Sequence, residues 1–260
     1  MEIIIQPDTA QASLTAARIV AKTVREKPHA VLGFATGRTP VKLYEQLVSM
    51  HLEGGLDFSG VTSFNLDEYV GIEPTHSASF HSYMWRNLFS RINIPKERIH
   101  IIDGMTPDIP AYCRHYEAAI KTAGGIDIQI LGIGKNGHIG FNEPSSSLSS
   151  RTRIKTLTEA TRLDLAEEFG GLDKVPHHVI TMGLGTIMES RACVLLAFGA
   201  SKAGAVARAV EGPVTAMMPA SVLQMHPRTV FVLDREAAGE LELADYYAWV
   251  YEHKPDWQKY

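Results

Sequence analysis

Short apolar runs and longer amphipathic segments alternate along most of the chain. The uninterrupted apolar run Val31–Phe34 predicts a strand buried on both faces, whereas helical spacing of apolar residues predicts a helix from Asp8, its cap, to about Glu26. Further strands are predicted at Ile3–Ile5, Val61–Phe64, Ile99–Ile102, Ile126–Leu131, His178–Met182, Val194–Phe198 and Thr229–Leu233, and further helices at Pro40–Glu53, Ser79–Arg91, Pro110–Ala123, Leu184–Glu189, Lys202–Val210 and Ala237–Trp249. This alternation predicts an α/β fold, with a doubly wound, mostly parallel, Rossmann-like sheet and helices on both faces.

The chain shows no linker, internal repeat or low-complexity tract. Its 260 residues suit one large domain, so we expect residues 1–260 to fold as a single unit. The stretch Thr158–Val175 is rich in charge and contains Gly170-Gly171. We expect this stretch to form a mobile lid.

Composition excludes several classes of function. A net charge of −4 gives no basic field for nucleic acid or an acidic membrane, and no apolar run approaches the roughly 20 residues of a membrane span. The strand-like N-terminus has no signal pattern, and Cys113 and Cys193 lie far apart in apolar or helical surroundings. We therefore expect a cytoplasmic protein with two buried, reduced cysteines.

The segment Ile130–Pro144 is the most informative part of the chain. An apolar strand ends there in a glycine-rich loop that carries Asn136, His138, Asn142 and Glu143. A carboxylate can fix the proton position of a nearby imidazole and leave the second ring nitrogen free for acid–base chemistry. On these residues alone, a surface turn with an unremarkable His and Glu remains an alternative.

Two further loops follow predicted strands. Thr36-Gly37-Arg38-Thr39 precedes a helix, so its backbone N–H groups could hold a phosphate, although such turns often serve only as helix caps. It lacks the Lys-Ser/Thr of a nucleotide loop and the spaced glycines of a dinucleotide site. Asp67-Glu68 follows another strand, where at most one of the two acids is expected to enter a site and a solvated turn is the alternative.

These blocks together resemble a known family. Gly132-Ile-Gly-Lys-Asn-Gly-His-Ile-Gly-Phe-Asn-Glu-Pro144 looks like the signature loop of the glucosamine-6-phosphate deaminases, also called isomerases. Leu32–Pro40 resembles their phosphate loop and Phe64–Gly71 their catalytic-acid loop, and Ser149–Thr158 and Ala209–Pro213 extend the match along nearly the whole chain.

The resemblance implies an enzyme that converts glucosamine 6-phosphate to fructose 6-phosphate and ammonia. His138 would open the sugar ring with Asn136 and Glu143 orienting it, and Asp67 would move a proton between C2 and C1. The phosphate would be bound by Lys202 and by the loop Thr36–Thr39, which includes Gly37 and Arg38. No redox cofactor, pyridoxal phosphate or metal is expected, because the carbonyl of the substrate itself acidifies the C2 hydrogen and no histidine pair has metal-ligand spacing.

The sequence departs from the family at three places. Arg38 stands where glycine or serine is common, and Asn136 replaces the aspartate of some members. The lid stretch Leu165–Phe169 contains Glu167 and Glu168 but not the arginine that grips phosphate in many members. We therefore expect Arg38 to reach the phosphate and both glutamates to point away from it.

The segment Ser149–Thr158 is basic and rich in hydroxyl groups. Alternation would place Arg151, Arg153 and Lys155 on one face of an extended chain, and a solvated edge strand is the simpler interpretation. In hexameric members the residues matching Ser146, Arg153, Lys155 and Thr156 resemble an allosteric site for N-acetylglucosamine 6-phosphate between subunits.

Two other functions remain as alternatives. 6-Phosphogluconolactonases share the fold, but their loops typically continue His-Thr-Ala-Ser-Leu-Phe-Pro and Asp-Glu-Arg, unlike His138-Ile-Gly-Phe and Asp67-Glu-Tyr. A non-catalytic sugar-phosphate sensor is disfavoured by the intact acid–base set. Neither gluco versus galacto preference nor oligomeric state follows from the sequence.

Overall fold

The computed structural model describes residues 1–260 and contains ten strands in two sheets. Its strands are β1 (Glu2–Gln6), β2 (Val31–Phe34), β3 (Thr62–Asn65), β4 (Asp67–Tyr69), β5 (Ile99–His100), β6 (Ile128–Gly132), β7 (Arg153–Thr156), β8 (His178–Thr181), β9 (Cys193–Ala197) and β10 (Thr229–Asp234). Its α-helices are α1 (Thr9–Glu26), α2 (Val41–Leu52), α3 (Phe80–Asn87), α4 (Ile109–Thr122), α5 (Glu159–Phe169), α6 (Leu184–Met188), α7 (Ala203–Val210) and α8 (Ala244–Glu252). Short 3-10 helices cover Phe89–Arg91, Lys96–Arg98, Leu172–Lys174, Ala200–Lys202, Pro219–Met225 and Asp256–Gln258.

Seven parallel strands form the central sheet, in the order β1-β10-β9-β6-β2-β3-β5. One continuous core of 60 buried hydrophobic residues joins this sheet to its helices, which confirms the predicted single-domain α/β fold. Cys113 and Cys193 are both buried and free. None of the helices combines the length and the apolar character required to cross a bilayer.

The second sheet was not foreseen from the sequence. Strand β8 pairs antiparallel with both β4 and β7, so His178–Met182 does not belong to the parallel sheet. A separate cluster of seven buried residues, including Tyr69, Phe80 and Phe169, packs beneath this sheet and the predicted lid. An apolar run predicts a strand but not its partner, because pairing depends on contacts distant in sequence.

Two predicted helices differ from the observed helices by several residues, whereas the others agree to within about one residue at each end. The helix expected over Ser79–Arg91 breaks at Leu88, where the side chain of Ser90 donates a hydrogen bond to the free carbonyl of Trp85 (2.7 Å). The helix expected from Ala237 begins only at Ala244, because Glu211 accepts hydrogen bonds from the N–H groups of residues 242 and 243 and caps this later start.

Candidate active site

The three polar loops predicted from the sequence converge on one cavity. They follow β2, β3 and β6, and β2 lies between the other two strands in the sheet. Because the strands are parallel, their carboxyl ends meet at the same edge, and the loops enclose a cavity of about 600 Å³. Thr36–Thr39, Asp67, His138 and Lys202 all line it.

Strand β4 separates the two adjacent acids Asp67 and Glu68. Side chains alternate across a strand, so Asp67 faces the cavity while Glu68 lies on the opposite face. Glu68 accepts hydrogen bonds from the backbone N–H groups of Tyr69 (2.9 Å), Phe80 (3.0 Å) and His81 (2.9 Å). Glu68 therefore holds the start of α3 against β4, and Asp67 remains free to meet a substrate.

Asp67 is only 4% exposed. Burial, together with the neighbouring charge of Glu68, raises the pKa of Asp67 to about 8. A carboxyl group with such a pKa exchanges its proton near neutral pH, which is the property required of a general base that must also return the proton.

A hydrogen-bonded group surrounds His138. Its Nδ1 lies 3.5 Å from Oε2 of Glu143, and Nδ2 of Asn136 donates to the same carboxylate oxygen at 2.6 Å. The Oδ1 of Asn136 accepts from the backbone N–H of His138 at 3.2 Å. Asn136 thus bridges the histidine loop and Glu143, the orienting role that the resemblance implies.

Burial tends to raise the pKa of Glu143, but its contacts outweigh this effect. The close approach of His138, hydrogen bonds from Thr161 and Asn136, and the charge of a protonated His138 lower the pKa of Glu143 to about 2. Glu143 therefore stays ionised at neutral pH and can stabilise a proton on Nδ1 of His138. The other ring nitrogen is then available for chemistry.

Glycines allow the two acid–base loops to approach each other. A side chain at Gly134 would lie 2.2 Å from the ring of His138, so only glycine fits. At Gly140, with φ of +57°, an added Cβ would lie 2.9 Å from Oγ1 of Thr181 and 3.6 Å from Oδ2 of Asp67. The histidine loop thus passes directly beside the buried carboxyl group of Asp67.

Cations gather at the end of the cavity formed by the loop after β2. Lys202 lies half-buried, and its pKa is lowered by burial and by the nearby charge of Lys135. Lys135 also lines the cavity and was not singled out from the sequence, because a lysine in a glycine-rich loop has no distinguishing pattern. Together with Arg38, these side chains form a cationic group suited to a phosphate.

Two glutamates of α5 lie beside Arg38 at this end of the cavity. Its Nη2 lies 3.5 Å from Oε2 of Glu167, and its Nε lies 3.8 Å from Oε1 of Glu168. Glu168 also lines the cavity and Glu167 does not, and the expectation that both point away from a bound phosphate stays a prediction. Opposite charges on the loop and on α5 attract each other across the cavity mouth, which the sequence alone could not reveal.

The four residues of the expected allosteric site lie outside this cavity. Arg153 donates from Nη1 to Oδ1 of Asn142 at 2.9 Å, which links β7 to the histidine loop. Ser146 is buried, whereas Lys155 and Thr156 lie on β7, with Thr156 exposed. A separate cavity of about 910 Å³ is lined by Arg151 and Arg153 together with α4 and contains none of the acid–base residues.

The fold and this site define an α/β enzyme class with titratable side chains at strand ends beside a cationic pocket. The model of the glucosamine-6-phosphate isomerase/6-phosphogluconolactonase family matches residues 8–232. The chain is similar to glucosamine-6-phosphate deaminases of Arthrobacter sp. (strain FB24), with 53% identity over 99% of both chains, and Rhodococcus jostii (strain RHA1), with 50% identity over 100% of both.

Solved structures agree with these sequence comparisons. A structure described as a monomeric glucosamine-6-phosphate deaminase is 44% identical, covering 92% of this chain and 100% of its own, with a TM-score of 0.91. A 6-phosphogluconolactonase from Trypanosoma cruzi is 19% identical, covering 93% of this chain and 97% of its own, with a TM-score of 0.76, which shows the shared fold alone. This chain belongs to the glucosamine-6-phosphate isomerase/6-phosphogluconolactonase family.

Proposed function

We propose that the chain converts glucosamine 6-phosphate and water to fructose 6-phosphate and ammonia. One observation carries this proposal: the buried carboxyl group of Asp67 and the ring of His138, which lies beside Glu143, face one cavity that is also lined by Arg38, Lys135 and Lys202. The relatives at about 50% identity bear the name of this activity. The set of groups matches a substrate that must be opened, deprotonated beside a carbonyl and held by its phosphate.

The chemistry begins with ring opening. We assign to His138 the transfer of a proton from the C1 hydroxyl to the ring oxygen, which breaks the C1–O5 bond and forms the C1 carbonyl. Glu143, ionised and hydrogen-bonded to Asn136, stabilises the imidazolium formed in between. The ring therefore opens without an external reagent.

Isomerisation and loss of ammonia follow. Asp67 removes the C2 hydrogen as a proton while the C1 carbonyl takes up the electron pair, and the proton is then returned to C1. One N–H proton of the amino group passes to the C1 oxygen, so that C1 carries a hydroxyl group and the nitrogen at C2 becomes an imine. Water then adds to C2, and the C2–N bond breaks to release ammonia and leave the C2 carbonyl of fructose 6-phosphate. These steps consume one water and require no oxidant or reductant.

We further propose that residues 158–175, which contain α5, cover this cavity as a lid of the single domain 1–260. Thr161 on α5 donates to Oε1 of Glu143 at 2.5 Å, so the lid contacts the acid–base pair directly. The glycine pair 170–171 ends α5 with φ values of +70° and +146°. These glycines can absorb the dihedral change that a lid motion requires.

The cationic end of the cavity, where Arg38 lies, leads to a first prediction. Replacing Arg38 by alanine should raise KM for glucosamine 6-phosphate and lower kcat/KM by a factor equivalent to about 1.5–3 kcal/mol, the range for a charged hydrogen bond. Steady-state kinetics measures this loss, and Lys42→Ala, a nearby substitution on α2 outside the cavity lining, is the control. Unchanged kinetics in Arg38→Ala would exclude Arg38 from phosphate binding.

We also propose a regulatory role for the residues at 146, 153, 155 and 156. Addition of N-acetylglucosamine 6-phosphate should lower the substrate concentration required for half-maximal rate, and Lys155→Ala should remove the effect. Light scattering checks the hexamer on which this regulation depends. Hyperbolic kinetics indifferent to the ligand, or a monomer in solution, would contradict the proposal.

The lactonase activity of the wider family is the second candidate. A lactone needs hydrolysis at one carbon and no base beside C2, whereas the burial and raised pKa of Asp67 suit such a base. Purified protein should therefore release ammonia from glucosamine 6-phosphate and leave 6-phosphogluconolactone hydrolysis at its spontaneous rate. The same ammonia assay with galactosamine 6-phosphate measures the epimer preference.

A further inference from the structure

The cavity-facing side of α5 carries an acidic stripe, which we define as Asp164 and Glu168. Residues 161, 164, 165 and 168 all line the cavity, a spacing that places them on one face of the helix. Phe169, on the neighbouring face, packs edge-on against Tyr69 with ring centroids 5.1 Å apart and anchors the helix over the site. The packing of α5 through Phe169 thus keeps the acidic stripe at the lining of the cavity.

The acidic stripe faces the cations assigned to phosphate binding. Oδ1 of Asp164 lies 3.5 Å from Nζ of Lys135, and Oε1 of Glu168 lies 3.8 Å from Nε of Arg38. Glu167 also pairs with Arg38, at 3.5 Å, but does not line the cavity and is 88% exposed. Asp164 also acts electrostatically on Lys202, where it partly opposes the lowering of the lysine pKa by burial and by Lys135. All three cations of the pocket therefore experience a carboxylate on the lid.

This arrangement is unfavourable for a bound phosphate dianion. A phosphate placed among Arg38, Lys135 and Lys202 would meet two carboxylates in the same cavity, and like charges at such distances repel. The pairs are half-exposed to largely exposed, with Arg38 at 77% and Asp164 at 67% side-chain exposure. Exposed ion pairs are weak, so a phosphate can displace them at modest cost.

We propose that the acidic stripe is an autoinhibitory latch, in which Asp164 and Glu168 occupy the cations of the empty site and are displaced by the substrate phosphate. This inference rests on the proposed function for the location of the phosphate. The latch keeps the lid over an empty cavity and makes lid movement depend on a phosphate-bearing ligand. The two carboxylates compete with the substrate phosphate for the cations and do not contact the carbons that react.

Neutral replacements test the latch. Asp164→Asn and Glu168→Gln should each tighten binding of inorganic phosphate by about 1.5- to 5-fold, as expected for loss of an exposed ion pair plus its repulsion of the ligand. The double variant should gain about 3- to 10-fold, and calorimetry on the intact protein measures the dissociation constants. Glu159→Gln, which removes the same charge from an exposed, unpaired position of α5, should change nothing.

Two further readouts separate the latch from a general change in charge. Amide hydrogen exchange in α5 should be faster in the double variant without ligand, because the ion pairs that hold the lid are gone. Phosphate affinity should also fall more steeply with salt in the double variant, because in the wild type salt weakens the internal competitor as well.

Several results would overturn the latch. Weaker or unchanged phosphate binding in both single variants would show that the carboxylates orient the cations rather than compete with phosphate. An equal gain in Glu159→Gln would show a non-specific effect of net charge. A wild type that releases ammonia while its variants gain no phosphate affinity refutes the latch alone, whereas a gain without any ammonia release refutes only the proposed activity.

Discussion

Asp67→Asn should abolish turnover and at the same time make the protein more stable. The amide keeps the shape of the carboxylate, so substrate binding should stay near normal, but it cannot accept the C2 proton. We expect less than a few per cent of wild-type activity, since loss of a positioned base costs on the order of 10²–10⁴-fold. Ammonia release and thermal unfolding of the same preparation measure both effects.

The gain in stability follows from the direction of the pKa shift. The folded protein raises the pKa of Asp67 to about 8, above the ordinary value of 3.8 that applies to the unfolded chain. Ionised Asp67 is therefore disfavoured by folding, and stability is lost as pH rises from about 4 to about 8. The uncharged amide of Asp67→Asn does not incur this loss. The free energy of unfolding of the variant should therefore exceed that of the wild type by on the order of 2–5 kcal/mol above pH 8 and by little at pH 4.

Glu68→Gln is the matched control for this experiment. It removes the neighbouring carboxylate, whose Oε2 accepts from the N–H of His81, and an amide nitrogen cannot take over that role. This variant should keep the base and lose on the order of 1–3 kcal/mol of stability from the broken hydrogen bond. It should also lower the pKa of Asp67, because the neighbouring charge of Glu68 that helps to raise this pKa is gone. If Asp67→Asn retained activity, Asp67 would not be the catalytic base. If that variant were less stable than the wild type at pH 8, folding would not disfavour ionised Asp67.

His138→Gln should have the second largest effect, and only on the cyclic substrate. Without an imidazole, the proton no longer moves readily between the C1 hydroxyl and the ring oxygen, so turnover should fall on the order of 10²–10⁴-fold. Binding of the open-chain alditol of the substrate, which never passes through a ring, should be unaffected. Steady-state kinetics measures turnover of the cyclic substrate, and calorimetric titration measures binding of the alditol.

Glu143→Gln separates proton transfer from mere positioning. The substitution keeps a side chain that can bond to Asn136 and Thr161 but removes the charge that stabilises the imidazolium. Turnover should fall less than in His138→Gln, with kcat reduced more than KM is raised.

Equal losses for ring and open-chain ligands in His138→Gln would assign the histidine to binding instead of ring opening.

The pH dependence of kcat/KM gives an independent check on the base. The free enzyme must lose the proton of Asp67 before it can act on C2, so kcat/KM should rise with pH through a pKa of about 8. An acidic limb with an ordinary carboxylate pKa near 4 would contradict the burial that the structure gives to Asp67.

The sequence predicted the parts of this protein whose signal is local. The apolar run Val31–Phe34 matches β2 residue for residue, and Asp8 accepts a hydrogen bond from the N–H of Gln11 as the predicted cap of α1. The three polar loops that follow predicted strands in the sequence also line one cavity in the structure, because the carboxyl ends of parallel strands share one edge of the sheet. Such features follow from periodicity and strand direction, which a single sequence carries.

Other features depend on contacts between distant segments. Asp67 belongs to strand β4, which pairs antiparallel with β8 and places Asp67 opposite Thr181, and no local pattern specifies this pairing. Thr161 and Lys135 were missed because neither residue has a pattern that distinguishes it from an ordinary surface position. The approach of Glu168 to Arg38 depends on how α5 packs over the cavity through Phe169, which composition cannot predict.

Product analysis with glucosamine 6-phosphate tests the central claim most directly. Wild-type protein should form ammonia and fructose 6-phosphate in equal amounts, and Asp67→Asn should form neither above the uncatalysed background at pH 8. Ammonia release by Asp67→Asn at the wild-type rate would contradict the assigned base. A wild type that forms no ammonia but hydrolyses 6-phosphogluconolactone would contradict the proposed activity itself.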